Sequence, residues 1–270
     1  MEGAATATVT APPLDPPMRR FGRAVYYLWY RELLRYFREP VTFYGSLVRP
    51  VLWLFVLGVG MQAHFRGGDA TGGLSFTQYI FPGIVTMSVL FTGLFQGVTM
   101  IFDREFGFLK EIMVAPVPTP AILLGKLLGG TTLAMIQGVV VLVFAPLVDV
   151  AFPLVRLPAV LAVMFVMALG TTAIGLLIAQ RMTSFEGFGT IVNFLVFPLY
   201  FLSGAMFPPT GLPAWLQVLV YLDPLAYGVD AFRHLILGQG VFPLGRDLVL
   251  LCVVSGALVL VNLRLFKRSG

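Results

Sequence analysis

Two histidines, His64 and His234, and one cysteine, Cys252, are all the imidazole and thiol that this 270-residue chain contains. A membrane enzyme needs paired carboxylates, a histidine cluster or an activated nucleophile. None of these is legible, and neither H-E-x-x-H nor G-x-S-x-G occurs. One segment imitates a phosphate loop. "GKLLGG", Gly125 to Gly130, has the glycine–lysine pair, but Leu127 stands where Ser or Thr would meet Mg²⁺ and Pro120 where the first loop glycine belongs. The chain is therefore expected to have no catalytic residues, no metal site and no cofactor of its own. Lys126 reads as an anchor at the end of a membrane span. The remaining chemistry is charge placed for mechanical use. "DREFGFLKEIMVAPVPTP" sets Asp103, Arg104, Glu105, Lys110 and Glu111 between two apolar runs and then Pro116, Pro118 and Pro120. Asp103 to Val114 reads as a short helix with an apolar side (Phe106, Phe108, Leu109, Ile112, Met113) that the prolines cannot continue. Such a helix, tied to two spans, is a lever. The plainer alternative is a solvated loop whose charges only set topology.

The elements that would position this lever are membrane spans. The chain is 58% hydrophobic and 11% charged, with mean hydropathy +0.89, whereas a soluble domain carries about 25% charged residues. A crossing needs about 20 apolar residues. Six runs qualify: Tyr44–Ala63, Ile80–Phe102, Gly125–Val148, Leu157–Gln180, Gly187–Phe207 and Leu248–Phe266. Their interiors show neutral polar residues (Thr86, Gln96, Thr99, Gln137, Asn193) and no proton-relay carboxylates. Between the fifth and sixth runs, residues 208–238 are apolar but cut by Pro208, Pro209, Pro213 and Pro224 and marked by Asp223, Asp230, Arg233 and His234. Two short helices re-entering the membrane edge fit this segment better than a seventh crossing.

Arg19 to Glu39 alternates an aromatic face (Phe21, Val25, Trp29, Leu33, Tyr36) with a basic one (Arg20, Arg23, Arg31, Arg35, Arg38), the pattern of an interfacial helix. Pro40 ends it. Residues 1–18 read as a disordered tail without a signal-peptide pattern. With six spans, 14 of the 18 basic residues fall on the side that holds both termini and Asp103–Pro120. The positive-inside rule makes that side cytoplasmic. The net charge of +5 thus serves topology, and no nucleic-acid partner is expected.

Two stretches carry a family resemblance. "DREFGFLKEIMVAPVPTPAILLGKLL" resembles the signature of type-2 ABC exporter permeases, such as the daunorubicin-resistance and nodulation-factor export permeases. The second match is Phe194 to Gly238. It has Pro198 in span five, a Phe201–Gly204 turn containing Ser203, then Phe207-Pro208, Leu212–Leu216, Pro224–Tyr227 and Asp230–Arg233 in the family order. The resemblance covers residues 19–270. It implies an all-α, polytopic permease domain of six spans, with an interfacial helix (19–40), a cytoplasmic coupling helix between spans two and three (103–118) and re-entrant helices before span six (208–238).

It further implies an ABC exporter subunit in the inner membrane. Two permease copies, here a homodimer, would work with two separate ATPase chains that bind ATP and Mg²⁺. The export path would serve an amphiphile such as a drug, lipid or lipid-linked glycan. Carried over, ATPase coupling would rest on Asp103, Arg104, Glu105, Gly107, Lys110, Glu111 and Pro116. A path along spans two and five would use Thr86, Gln96, Thr99, Asn193, Phe197 and Tyr200. The re-entrant signature would be Phe201, Ser203, Gly204, Pro208, Pro224, Tyr227, Asp230 and Arg233. The competing readings are an ATP-independent channel or scaffold and a membrane-embedded transferase. A neighbouring gene for an ATP-binding cassette protein would separate them from the first.

Overall fold

The computed structural model describes residues 17–62, 73–108, 117–151, 153–208 and 212–269. Among them the helices are α1 (Pro17–Arg38), α2 (Pro40–Gln62), α3 (Phe76–Glu105), α4 (Thr119–Val143), α5 (Leu157–Arg181), α6 (Phe185–Leu202), α7 (Ala214–Leu222), α8 (Pro224–Leu237) and α9 (Leu244–Ser269). No strand occurs among the described residues. The protein is all-helical. Five helices are long and apolar enough to cross a membrane: α3, α4, α5 with the turn before it, α6 and α9. A sixth is counted if α1 and α2, bent by 72° at their junction, form one broken crossing. Sequence reading gives the first crossing to α2 alone and begins α1 at Arg19; the helix already starts at Pro17.

Local chemistry explains the element ends. Ser75 opens α3 with a capping box, its hydroxyl accepting from Gln78 N–H while the Gln78 side chain accepts from Ser75 N–H. Pro118 and Pro120 do more than stop what precedes them. Pro118 is the N-cap of α4 and Pro120 lies in its first turn, where a missing N–H costs nothing. The third span therefore begins at Thr119, before the expected Gly125, and ends in a 3₁₀ turn, Ala145–Val148. The fifth span unwinds early, because α6 ends at Leu202 and Gly204 takes φ 75°.

α3 lies at the centre, with 78% of its apolar window buried, against 22% for α6 and 17% for α9. Lipid gives little hydrophobic reason for helices to associate, so close backbone approach does more of the work. In "GLFQG", Gly93 to Gly97, the small-residue spacing allows this: Gly97 and Gly175 bring α3 onto α5. A Cβ at Gly175 would sit 2.2 Å from the Leu94 carbonyl oxygen. "GKLLG" has a different partner. Gly125 and Gly129 admit α1, with Leu28 and Glu32 seated over them.

The bundle has two ends. At one lie the α3–α4 connection, the C-terminus of α5 and the start of α6. At the other lie the start of α3, the turn after α4 and the α7–α8 hairpin. The second end is tied by Gln78 Nε2 donating to Asp149 O at 2.8 Å and Arg156 donating to Leu235 O at 3.4 Å.

Candidate functional site

At the α3–α4 end, five charged side chains converge. Lys126 of α4 donates to Glu32 of α1 at 3.1 Å and also contacts Asp103 of α3. Arg31 reaches Asp103 through both terminal nitrogens, at 3.0 and 3.3 Å, and Arg35 reaches it at 3.5 Å. Gln96 donates to the second Glu32 oxygen at 2.8 Å. Lys126, Glu32 and Asp103 are 1%, 2% and 4% exposed. Lys126 is thus not an anchor reaching for an interface. It is the buried counter-charge of two carboxylates. Sequence reading missed this cluster because its members sit on three helices, and Glu32 was counted on a surface helix. The basic face of α1 is correspondingly turned in part toward the bundle, through Arg31 and Arg35.

This cluster changes how the charged stretch is to be seen. Asp103 to Glu105 are the last turn of α3 itself, and helix resumes only at Phe108, after the Gly107 turn. Asp103 points inward to the cluster. Arg104 donates to the carbonyls of Met182 at 3.1 Å and Gln180 at 3.4 Å, where a cation also meets the negative end of α5. Glu105 and Phe106 are exposed, Phe106 by 81%. Gly107 takes φ 77°, a conformation open to glycine. A Cβ there would meet nothing within 4 Å. The Phe108 ring lies under the Arg31 guanidinium, 3.5 Å from ring centre to Cζ. Lys110, Glu111 and Pro116 lie outside the described residues.

Beside the cluster is a cavity of about 560 Å³ bounded by α1, α2 and α3. Phe91, Phe95 and Phe102 supply apolar wall, and Arg35, Glu39 and Arg49 supply charge. The Arg49 guanidinium stands 4.7 Å from the Phe91 ring centre. Of the residues expected along a path, Gln96 and Thr99 line this cavity. Thr86 is fully buried with its hydroxyl unpartnered. Tyr200 is buried and donates to the Gly83 carbonyl at 3.2 Å. Asn193 and Phe197 lie on the exposed side of α6. The six are therefore not brought together. Gln137 ties α4 to the α1–α2 corner through Ser46 at 2.6 Å and through Tyr36.

At the opposite end the expected pair of short helices is present as α7 and α8. Asp223 caps α8, accepting from Leu225 N–H at 2.9 Å. Burial pushes its carboxyl up to about 7, against the downward pull of that hydrogen bond. Pro224 occupies the first turn. Tyr227 donates to Tyr221 O at 2.6 Å, closing α8 onto α7. Gly204 O accepts from Arg233 at 2.8 Å and from Tyr79 at 3.4 Å, so the turn after α6 is held by α8 and α3. Arg233 also lies over the Tyr79 ring, 4.3 Å from its centre. Ser203 caps α6 and is buried. Phe201 is exposed and Pro208 half-buried. Asp230 accepts from Val241 N–H at 2.9 Å and Phe242 N–H at 2.8 Å, fixing the loop into α9.

The sequence matches the ABC-2 type transporter family over residues 23–237. It is 31% identical to inner membrane transport permease YadH of Escherichia coli over 250 residues, covering 90% of this chain and 94% of that protein. It is 27% identical to a putative transport permease, ycf38, of Cyanophora paradoxa over 264 residues (92% and 89%). Nodulation protein J of Rhizobium leguminosarum is 25% identical over 244 residues (89% and 93%). With a family match across most of its length and relatives aligned nearly end to end, this chain belongs to the ABC-2 type transporter family, as a multi-pass membrane permease subunit.

Proposed function

We propose that the chain is the membrane half of an ATP-driven exporter, assembled from two copies of itself and two separate ATPase chains, and that α3 receives the stroke. The observation that carries this reading is the ending of α3. Glu105 and Phe106 project at its tip. The residues just before them are bolted to three other helices, Asp103 to α1 and α4 and Arg104 to α5. A push on the tip is therefore felt by most of the bundle. α3 itself ends before Gly107, whose φ of 77° turns the backbone out of the helix.

Other features support the assembly. α6 exposes Ile191, Phe194, Phe197 and Phe201, an apolar strip suited to a second copy across an export path. The cavity beside Arg49 and Phe91 has the mixed character that suits an amphiphile. The basic asymmetry of the loops supports a cytoplasmic position for both termini and the α3 tip, in an inner membrane. The sequence carries no phosphate loop, which is in keeping with ATP and Mg²⁺ being bound by a partner chain.

Glu105→Arg and Gly107→Val test the reading. Both lie outside the packed core, so insertion and abundance stay near wild type for Glu105→Arg, while Gly107→Val adds only local backbone strain at φ 77°. Co-purification with the ATPase, or ATP turnover by the assembled complex, falls sharply. Arg66→Glu on the opposite side is the control and leaves coupling intact. Wild-type export and assembly in both tip variants would reduce the segment to a topology loop. Cysteine labelling from outside the cell, in a Cys252→Ser background, checks the orientation: a probe at Gly68 reacts and one at Ala115 does not.

A further inference from the structure

We infer that the hairpin end holds a divalent-cation site built from Asp230 and His234 of α8 and Asp247 of α9. One ligand atom from each of the three residues lies within 4.8 Å of the others. Asp230 and His234 are one helical turn apart on one face, the i, i+4 spacing by which a helix presents two ligands to one ion. Asp247 comes from the first turn of the next long helix. It carries the argument. Its side chain is fully buried, and neither carboxylate oxygen has a hydrogen-bond partner. Two bare oxygens of a buried carboxylate are costly unless a cation or proton meets them.

The surroundings favour an ion. Asp230 is already oriented by the N–H groups of Val241 and Phe242, the kind of support that fixes a ligating carboxylate while leaving lone pairs for metal. His234 Nε2 stands 3.9 Å from Asp230 Oδ2 and 2.5 Å from the Phe242 carbonyl oxygen. Its Nε2–H donates to that carbonyl until the ion replaces the proton; the carbonyl then lies beside the metal as a further oxygen donor. Arg233, whose NH1 is 3.9 Å from Asp230, sends its other terminal nitrogen to Gly204 O. It therefore sits at Asp230, and the cationic groups that act on Asp247 are His234 and Arg246. A set of two carboxylates, one imidazole and one carbonyl suits zinc or manganese rather than calcium, which takes six to eight oxygens. The bound ion would rivet the re-entrant hairpin to the last span.

The test uses the full chain, purified in detergent with a histidine-free tag and stripped with chelator. Zn²⁺, Mn²⁺ and Ca²⁺ are added separately. Bound metal per chain is measured after desalting, and thermal unfolding is followed. The expected result is one zinc or manganese per chain, a raised unfolding temperature and little response to calcium. Asp247→Asn and His234→Gln each weaken binding about tenfold or more, whereas His64→Gln leaves it unchanged. Absence of stoichiometric zinc or manganese binding to the wild-type chain overturns the proposal, and so does undiminished binding by Asp247→Asn. Stability of Asp247→Asn equal to metal-free wild type, with no metal response in either, would identify a shared proton as the occupant instead.

Discussion

Buried carboxylates sit at both ends of this bundle, and the two ends treat them differently. At the α3–α4 end, Glu32 and Asp103 face Lys126, Arg31 and Arg35, with Gln96 filling a remaining lone pair. At the hairpin end, Asp230 is held by backbone N–H groups, and Asp247 is left with both oxygens bare. The first cluster is closed by its own side chains and locks three helices into one register. The second is open, since no side chain or backbone donor bonds the Asp247 oxygens. The difference assigns the roles. A closed cluster suits a part that must transmit force without slipping. An open one suits a part whose hold on its neighbour is meant to be set from outside.

The comparison breaks most readily at Lys126. Lys126→Met strands two nearly buried carboxylates, and loss of one partner from a buried ion pair costs about 3–5 kcal/mol. Reduced yield and a lower unfolding temperature in detergent are expected, with partial recovery when Glu32→Gln is added. A loss below 1 kcal/mol, about what a surface pair is worth, would mean that the cluster is not closed in the sense argued.

At the hairpin end Arg233→Met removes a donor from Gly204 O and a cation from beside Asp230. The expected cost is about 1–3 kcal/mol, read by the same unfolding measurement. It should be smaller than the Lys126 effect. A larger one would make Arg233, rather than Asp247, the hinge of that end.

A pH effect comes next. The Asp223 carboxyl is raised in the folded protein to about 7 by burial, so the folded state holds the proton more tightly than the unfolded chain. Its contribution is full below the unfolded value of about 4 and is lost as pH rises toward 7. Wild-type stability should therefore increase by about 1–2 kcal/mol as pH falls from 7 to 5. Asp223→Asn, which keeps a capping oxygen, should flatten this part of the pH profile.

Smallest is Arg31→Ala. Arg31 is 32% exposed, and Asp103 keeps Lys126 and Arg35. A change of about 1 kcal/mol or less is expected. An effect as large as that of Lys126→Met would show that the cation–ring contact with Phe108 matters more than the ion pair.

Much of the fold was legible because it depends on runs of local sequence. Apolar length gave the long helices, Pro40 gave the α1–α2 break, and Pro213 and Pro224 framed the two short helices before α9. The exits of α3 and α6 were misplaced. Gly107 and Gly204 turn the backbone where composition alone continues the run, and Pro118 works for the helix that follows it. The charge clusters were hidden for another reason. Glu32, Asp103 and Lys126 are far apart in the chain, and His234 and Asp247, though closer, sit on separate helices. Nothing in a single helical face marks a lysine as buried when its counter-ions come from elsewhere. The stretch from Asp103 drew attention for its charge, and its first two residues serve the inside of the bundle.

The way α6 is fastened has a mechanical consequence. Its upper end is pinned by polar bonds: Tyr200 to Gly83 O, and Gly204 O to Arg233 and Tyr79. Its foot rests on ring contacts, Phe185 against Phe102 and Phe188 against Phe95, with centres 5.9 and 6.4 Å apart. Polar bonds break when displaced, whereas aromatic faces slide. The helix is thus tied by polar bonds above and by ring packing below, so a tilt would turn about its upper end. At about 1.5 Å per residue its 18 residues make an arm of about 27 Å, and a swing of about 10° carries the foot about 5 Å. The amplitude is greatest beside the tip of α3.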